Sequence, residues 1–342
     1  MKDLSFIAVS GFFSSGSSAV IDLLKEFKNT YECTAEIRII KDPYGISQLE
    51  QALVHHWELL NSSAAIHDFL WLCKVYNRTG GHLLSPAGLS YGKNISSDFL
   101  RITYEYIDAL TDYTYISDFY YQKIKKPYLK FIIDRIRYGI EVYSKGKIRS
   151  ANRKNAPAYF SHPTEEQFYN ATKEYLKRLF EKCIPDSVEK GYILLDQAIS
   201  TNDAGAIDRY FDNGKLIVVD RDPRDMYVED VEIWRENLDN DTTSADAGRK
   251  YVLRHKALRQ SIPEAQNVMV VRFENLIRNY DEESKKIMAF VGFDENKHAE
   301  PHKYLKPEVS AKNIGVWKQY YEKYKDAIDA IAEMLPEYCV SD

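Results

Sequence analysis

The sequence predicts an α/β protein: a three-layer α/β/α arrangement on a mostly parallel central sheet, interrupted by a large helical insertion. Three observations lead there. Short β-branched or continuously apolar runs recur along the 342 residues, as expected of strands covered on both faces. Segments of helical periodicity alternate with them, the pattern of parallel strands joined by crossover helices. A long stretch, residues 46–189, breaks the alternation without a clear strand signal.

In chain order, a first strand is expected over residues 6–10, followed by a Gly/Ser-rich turn and a helix over 17–27. A second strand is expected over 33–40 and a helix over 48–60. The insertion reads as mostly helical and ends in a helix over 165–182. Strands over 192–196, 215–220 and 267–272 then alternate with helices over 203–211, 223–235, 282–291 and 316–334. No internal repeat and no Pro- or Ser-rich linker divides the chain, so one domain spanning 1–342 is expected.

With 44% hydrophobic and 28% charged residues, the composition excludes a collagen-like or disordered chain. No apolar run approaches the roughly 18 residues of a membrane span, and the first residues lack the pattern of a signal peptide. Cys33, Cys73, Cys183 and Cys339 lie far apart, without a CxxC pair or companion histidines. They read as buried free thiols in a reducing cytoplasm rather than as disulfides, and no metal site is expected.

The net charge of −5 argues against a generic nucleic-acid binder, but it is a cancellation. Residues 120–155 hold eleven Lys or Arg against Asp134 and Glu141, a net of +9. Residues 220–246 hold ten acids against Arg221, Arg224 and Arg235, a net of −7. Nine of the 26 tyrosines fall between Tyr104 and Tyr143.

The turn after the first strand reads Ser10-Gly11-Phe12-Phe13-Ser14-Ser15-Gly16-Ser17-Ser18. A Gly/Ser turn between a buried strand and a helix aims backbone N–H groups and the positive helix end at one small volume, suited to phosphate or sulfate. Gly11, Ser14, Ser15, Gly16, Ser17 and Ser18 are therefore candidate anion ligands. The spacing matches G-x-x-x-x-G-K-[ST] except that Ser17 replaces the lysine, which disfavours a nucleoside triphosphatase or kinase. The alternative is a tight turn with no ligand.

The run 215–220 ends in Arg221-Asp222-Pro223-Arg224-Asp225, a strand followed by a helix opened by proline. Ligands of parallel sheets bind at the carboxyl ends of strands, so Arg221 stands where a second anion site belongs. The alternative is a structural ion pair, Arg221–Asp225 or Arg224–Asp220.

These features, with Val270-Val271-Arg272-Phe273-Glu274-Asn275-Leu276 and Ser310-Ala311-Lys312-Asn313-Ile314-Gly315-Val316-Trp317-Lys318, resemble the sulfotransferases that use 3′-phosphoadenosine 5′-phosphosulfate (PAPS), particularly their bacterial and carbohydrate-modifying branch. The resemblance spans residues 4–45 and 190–320. It implies a 5′-phosphosulfate loop at 10–18, a 3′-phosphate site at Arg221, and Lys312 and Asn313 near the transferring group. Three positions depart from the family pattern: Ser14 and Gln197 replace basic residues, and Glu229 replaces a serine. Lys312, Asn313 and the cations of 120–155 are candidates to compensate.

By the same resemblance Glu36 is the candidate general base, since sulfuryl transfer to a hydroxyl requires a carboxylate within hydrogen-bond reach. Asp42, His55 and His56 are alternatives, and a surface pair of Glu36 with Arg38 or Lys41 is the structural one. The basic, tyrosine-rich insertion suits a carbohydrate or polysaccharide acceptor, an anionic one included, or is a solvated helix face. Nucleic acid is not expected. The expectation is thus a cytoplasmic sulfotransferase acting on a carbohydrate hydroxyl with PAPS as donor and no metal. Its rivals are a transferase using another phosphate-bearing nucleotide and a catalytically lapsed anion- or glycan-binding protein.

Overall fold

The computed structural model describes residues 3–33, 36–79, 88–117, 119, 121, 127–145, 157–260, 262, 265–294, 296 and 298–340. Its strands are β1 (Asp3–Gly11), β2 (Thr30–Glu32), β3 (Tyr113–Ile116), β4 (Pro157–Phe160), β5 (Lys190–Asp196), β6 (Gly214–Asp220) and β7 (Val268–Arg272). Five of them form one parallel sheet in the order β2–β5–β1–β6–β7. Because side chains alternate along a strand, each central strand feeds two cores. Phe6 and Ala8, Ile193 and Leu195, and Leu216 and Val218 face one core. Ile7 and Val9, Leu194, and Ile217 and Val219 face the other. The continuous apolar runs arise from this double burial, and the three-layer α/β/α expectation holds.

The helices are α1 (Ser17–Lys25), α2 (Ile46–Glu50), α3 (Leu59–Tyr76), α4 (Tyr91–Asn94), α5 (Phe99–Ala109), α6 (Tyr128–Tyr143) and α7 (Glu165–Phe180). They continue with α8 (Ala206–Tyr210), α9 (Pro223–Glu232), α10 (Ala245–Arg259), α11 (Phe273–Arg278), α12 (Tyr280–Val291), α13 (Pro307–Ser310) and α14 (Tyr321–Met334). On one side of the sheet, α1 and α12 contribute Val20, Leu24 and Ile287. On the other, insertion residues such as Ile66, Phe69 and Tyr175 share a core with Phe6 and Ile193. Local signals set several boundaries. Thr164 and Gln167 form a reciprocal capping box at α7. Asp222 caps α9, whose first residue is Pro223.

Three expectations need correction. Of the run 33–40, residues 34 and 35 lie outside the described residues and the others are not strand: pairing with β5 ends at Glu32, and Ile37, Ile39 and Ile40 are buried beside the insertion. The turn there is held by Arg38 and Tyr76, both bonded to Asp42. The helix expected over 48–60 is divided into α2, a wider π-type turn over Gln51–His55, and α3. Glu58 starts the chain afresh as the N-cap of α3, its carboxylate accepting from the N–H groups of Leu60 and Asn61, each at 3.0 Å. The insertion contains a small antiparallel sheet, β3 with β4, in which the Tyr113 and Phe160 rings stack at 4.8 Å.

The cysteine reading is also corrected. Cys33 and Cys183 form a disulfide, with their Cα atoms 5.3 Å apart, while Cys73 and Cys339 are free. Strand pairing of β2 with β5 brings together thiols 150 residues apart, which spacing along the chain does not reveal. Of the basic cluster, Lys123, Lys125, Lys126, Lys147, Arg149, Arg153 and Lys154 lie outside the described residues. Among the described residues, no helix is long and apolar enough to cross a membrane.

Candidate functional site

The carboxyl ends of β1, β5 and β6 open onto a cleft of about 930 Å³. The whole loop from Gly11 to Ser18 lines it, and across from the loop stand Glu36, Lys41, Asp196 and Gln197. This is where open parallel sheets bind ligands.

Two glycines make the loop possible. A Cβ on Gly11 would lie 2.1 Å from Ser15 Oγ and 3.1 Å from the Val219 carbonyl oxygen. Gly16 has φ +80°, and a Cβ there would lie 2.7 Å from the Phe273 ring. The loop therefore packs tightly on β6 and α11. Helix α1 starts without a side-chain cap and without an acid in its first turn, leaving its positive end for an anion. Ser15 Oγ is buried with no hydrogen-bond partner, a donor held in place without an acceptor. These features suit a phosphate- or sulfate-type anion.

Ser14 has φ +57° and donates to Asp230 at 2.9 Å. Burial pushes the Asp230 carboxyl up to about 6, against the Ser14 hydroxyl and Arg254. Arg254 sits 2.5 Å from Asp230, so a cation stands behind the loop where the family pattern places one on it.

Lys41 supplies a second cation. It donates to Gln197 Oε1 at 3.0 Å, and Gln197 Nε2 donates to Ser17 Oγ at 2.8 Å. Burial, with Arg38 nearby, holds the Lys41 ammonium below its usual range. This chain of contacts leads from Lys41 to the serine that replaces the loop lysine. Sequence reasoning met Lys41 as a partner for Glu36; its signal was the three-residue step past Arg38 into a turn.

Glu36 lines the cleft with its side chain 42% exposed and pairs with Arg38 at 3.1 Å. The structure thus allows both a reacting carboxylate and the surface pair. Asp42 is committed to Arg38 and Tyr76, and His55 to Glu50 at 2.9 Å. His56 lines a different hollow, with Tyr44 and Asp68. Sequence reasoning missed Asp196, the last residue of β5. The Ile37 N–H donates to the Asp196 carbonyl at 2.8 Å, which brings Glu36 alongside. Asp196 Oδ1 is buried without a partner, and the carboxyl is pushed up to about 7, chiefly by burial and then by the charges of Glu36 and Glu32. An acid closing a central strand at the ligand edge was the available signal.

Arg221 reaches the cleft as expected, but its guanidinium is committed. It donates to the Ser14 carbonyl at 2.9 Å and to the Asn313 carbonyl, and Glu229 sits 2.8 Å from it. Asp225, 3.8 Å away, accepts instead from the N–H groups of Gly315 and Trp317. Burial pushes the Asp225 carboxyl up to about 6. Arg224 pairs with Asp222 at 2.6 Å rather than with Asp220. Arg221 therefore clamps the loop to the segment around Asn313, and Glu229 occupies its outer side. Asn313 lines the cleft, whereas Lys312 is exposed on the neighbouring turn and does not line it.

Fold and site together define an α/β protein with a glycine–serine loop and paired carboxylates at the carboxyl edge of a parallel sheet. A family model described as Sulfotransferase family matches residues 126–297, half of the chain. The chain belongs to the sulfotransferase family. The match begins within the insertion and leaves β1 and its loop outside. No curated protein matches the chain. Among solved structures it is similar to the sulfotransferase domain from the Synechococcus PCC 7002 olefin synthase, with TM-score 0.40 and 12% identity over 100% of this chain and 98% of that one. It is also similar to sulfotransferase STF9 from Mycobacterium avium, with TM-score 0.38 and 13% identity over 99% and 76% of the two chains. For sulfotransferase STF1 from Mycobacterium tuberculosis H37Rv the values are 0.37, 12%, 94% and 76%.

Proposed function

We propose that this chain, acting as one domain over 1–342 with its insertion at about 46–189, transfers a sulfuryl group from PAPS to a hydroxyl of a carbohydrate or polysaccharide precursor. The observation that carries the reading is the pairing, in one cleft, of the Gly11–Ser18 cradle with the carboxylates of Glu36 and Asp196. The acceptor oxygen forms a bond to sulfur as the bond from sulfur to the 5′-phosphate oxygen breaks. The hydroxyl proton passes to Glu36 or Asp196. Charge builds on the departing phosphate oxygen, where the loop N–H groups and Lys41 stabilise it. Asn313 positions the donor through Arg221, and Lys312 is the remaining candidate to approach the transferring group. Phe13 and Trp234, both exposed at the cleft, offer ring faces to a sugar.

The reading requires no metal. A cytoplasmic location is part of the proposal, and the Cys33–Cys183 bond is the feature that stands against it, since disulfides persist in oxidising compartments. The test is calorimetric binding of adenosine 3′,5′-bisphosphate to the wild type and to Glu36→Gln and Arg221→Ala, with transfer to sugar acceptors followed by mass spectrometry. Wild-type binding and turnover in both variants would refute the site.

One observation favours a second reading. Glu229 beside Arg221 opposes a 3′-phosphate, which fits a phosphate-bearing donor without that group. Thermal stabilisation by a nucleoside triphosphate or a CDP-linked compound, but not by the 3′,5′-bisphosphate, would select it.

A further inference from the structure

Helix α6 reads Tyr-Leu-Lys-Phe-Ile-Ile-Asp-Arg-Ile-Arg-Tyr-Gly-Ile-Glu-Val-Tyr, and none of its 16 residues is buried. At 3.6 residues per turn, Leu129, Ile132, Ile133, Ile136, Ile140 and Tyr143 share one face. A helix docked on its own domain turns such a face inward. Here it is turned outward: Leu129 is 70% exposed, Ile136 58% and Tyr143 91%. Single exposed apolar residues are ordinary, but a contiguous stripe marks an interaction surface.

The charges on the same helix have a matching order. Arg135 borders the apolar stripe on one side, and Lys130 and Arg137 border it on the other. Glu141 lies beside Lys130 and Asp134 a little farther round, and both acids are half-buried whereas the three cations are exposed. The surrounding sequence, residues 120–155, holds eleven cations against those two acids. An apolar stripe edged by cations is the arrangement of a helix lying in the plane of a bilayer: apolar side chains sink below the headgroups, and Lys and Arg reach up to the phosphates.

We propose that α6 docks this protein on an anionic phospholipid surface. Charge complementarity selects this occupant over a second copy of the chain, because the exposed charges of α6 are its cations, Lys130, Arg135 and Arg137, and a symmetric dimer through α6 would set like charges against each other. The proposal is independent of the sulfuryl-transfer reading. It places the enzyme on the membrane rather than through it.

The test is co-sedimentation of the full chain with vesicles of phosphatidylcholine alone and of phosphatidylcholine mixed with phosphatidylglycerol. Binding is expected to the anionic vesicles at least about tenfold better than to the neutral ones, and to weaken with salt. The paired substitutions Leu129→Glu and Ile136→Glu should abolish it. Lys130→Gln with Arg137→Gln should weaken it while keeping the apolar stripe. All of these side chains are exposed, so melting temperatures should stay at the wild-type value, which separates lost docking from lost folding. Equal binding to both vesicle types, no binding to either, or unchanged binding in the glutamate variant overturns the proposal. So does a dimer that Ile136→Glu dissociates without vesicle binding, or binding of an oligonucleotide in place of vesicles.

Discussion

Lys41 Nζ lies 3.0 Å from Gln197 Oε1, and through Gln197 the contact continues to Ser17 on the phosphate-type loop. Gln197 takes φ +57° to close this bridge. The cation absent from the loop at Ser14 and Ser17 is thus delivered from the turn that follows Glu36. In the proposed reading, the general base candidate Glu36 and the cation Lys41 thus arrive on one segment of chain, and a movement of residues 36–42 would alter both.

Replacing Lys41 by Ala should weaken binding of adenosine 3′,5′-bisphosphate by roughly ten- to a hundredfold, since a hydrogen bond to a charged group is about 1.5–3 kcal/mol. Lys41→Arg should restore part of it. Isothermal titration calorimetry measures both; an unchanged dissociation constant in Lys41→Ala would remove Lys41 from the donor site.

Asp196 sets the expected pH dependence. With its carboxyl at about 7, half of it is able to accept a proton at neutrality, so kcat/KM should climb through pH 7 and level off about one pH unit above. Asp196→Asn should lower turnover by about 10²–10⁴-fold if this carboxylate is the base. If Glu36 is the base, the loss appears in Glu36→Gln instead. Stability follows the same group with a definite sign. The folded-state pKa lies above the unfolded value of 3.8, so the native state holds the extra proton between those limits and stability falls as pH rises through them. Asp196→Asn should therefore raise the melting temperature at pH 8, and the gain should vanish toward pH 4. An equal gain at both pH values would mean that the carboxylate charge is not its source.

Glu229 competes with any phosphate for Arg221, at 2.8 Å from its guanidinium. Glu229→Ser, which introduces the residue common in the family, should tighten adenosine 3′,5′-bisphosphate binding by about tenfold, on the scale of one charge-assisted hydrogen bond. Adenosine 5′-phosphate, lacking the 3′ group, should show no such gain. If both nucleotides respond alike, Arg221 does not read the 3′-phosphate.

The sheet and its loop were legible because their cause is local. Continuous apolar runs mark strands buried on both faces, and the order strand, Gly/Ser turn, helix at residues 6–24 is visible without tertiary information. The segment 33–40 was misread for a physical reason: β-branched residues report burial, and Ile37, Ile39 and Ile40 are buried without pairing as a strand. Lys41 and Asp196 were not assigned roles because their chemistry depends on a juxtaposition of segments about 150 residues apart. The commitment of Arg221 to Glu229 and two carbonyls depends likewise on α9 and the Asn313 turn meeting at the cleft.

The Cys33–Cys183 bond ties the end of β2 to the turn after α7, three residues before Glu36. Closing a loop of 150 residues restricts the unfolded chain strongly, and the expected contribution is about 2–4 kcal/mol. Cys33→Ser should lower the denaturation midpoint accordingly, and dithiothreitol should lower the wild type to the same value while leaving the variant unchanged. Thiol titration of the unfolded, unreduced chain should count two reactive groups, Cys73 and Cys339. Four would show that the bond does not form in the purified protein. Because the same cross-link anchors the approach to Glu36 and Lys41, its loss should also weaken bisphosphate binding at a temperature where the variant remains folded. Unchanged binding there would confine the disulfide to a stabilising role.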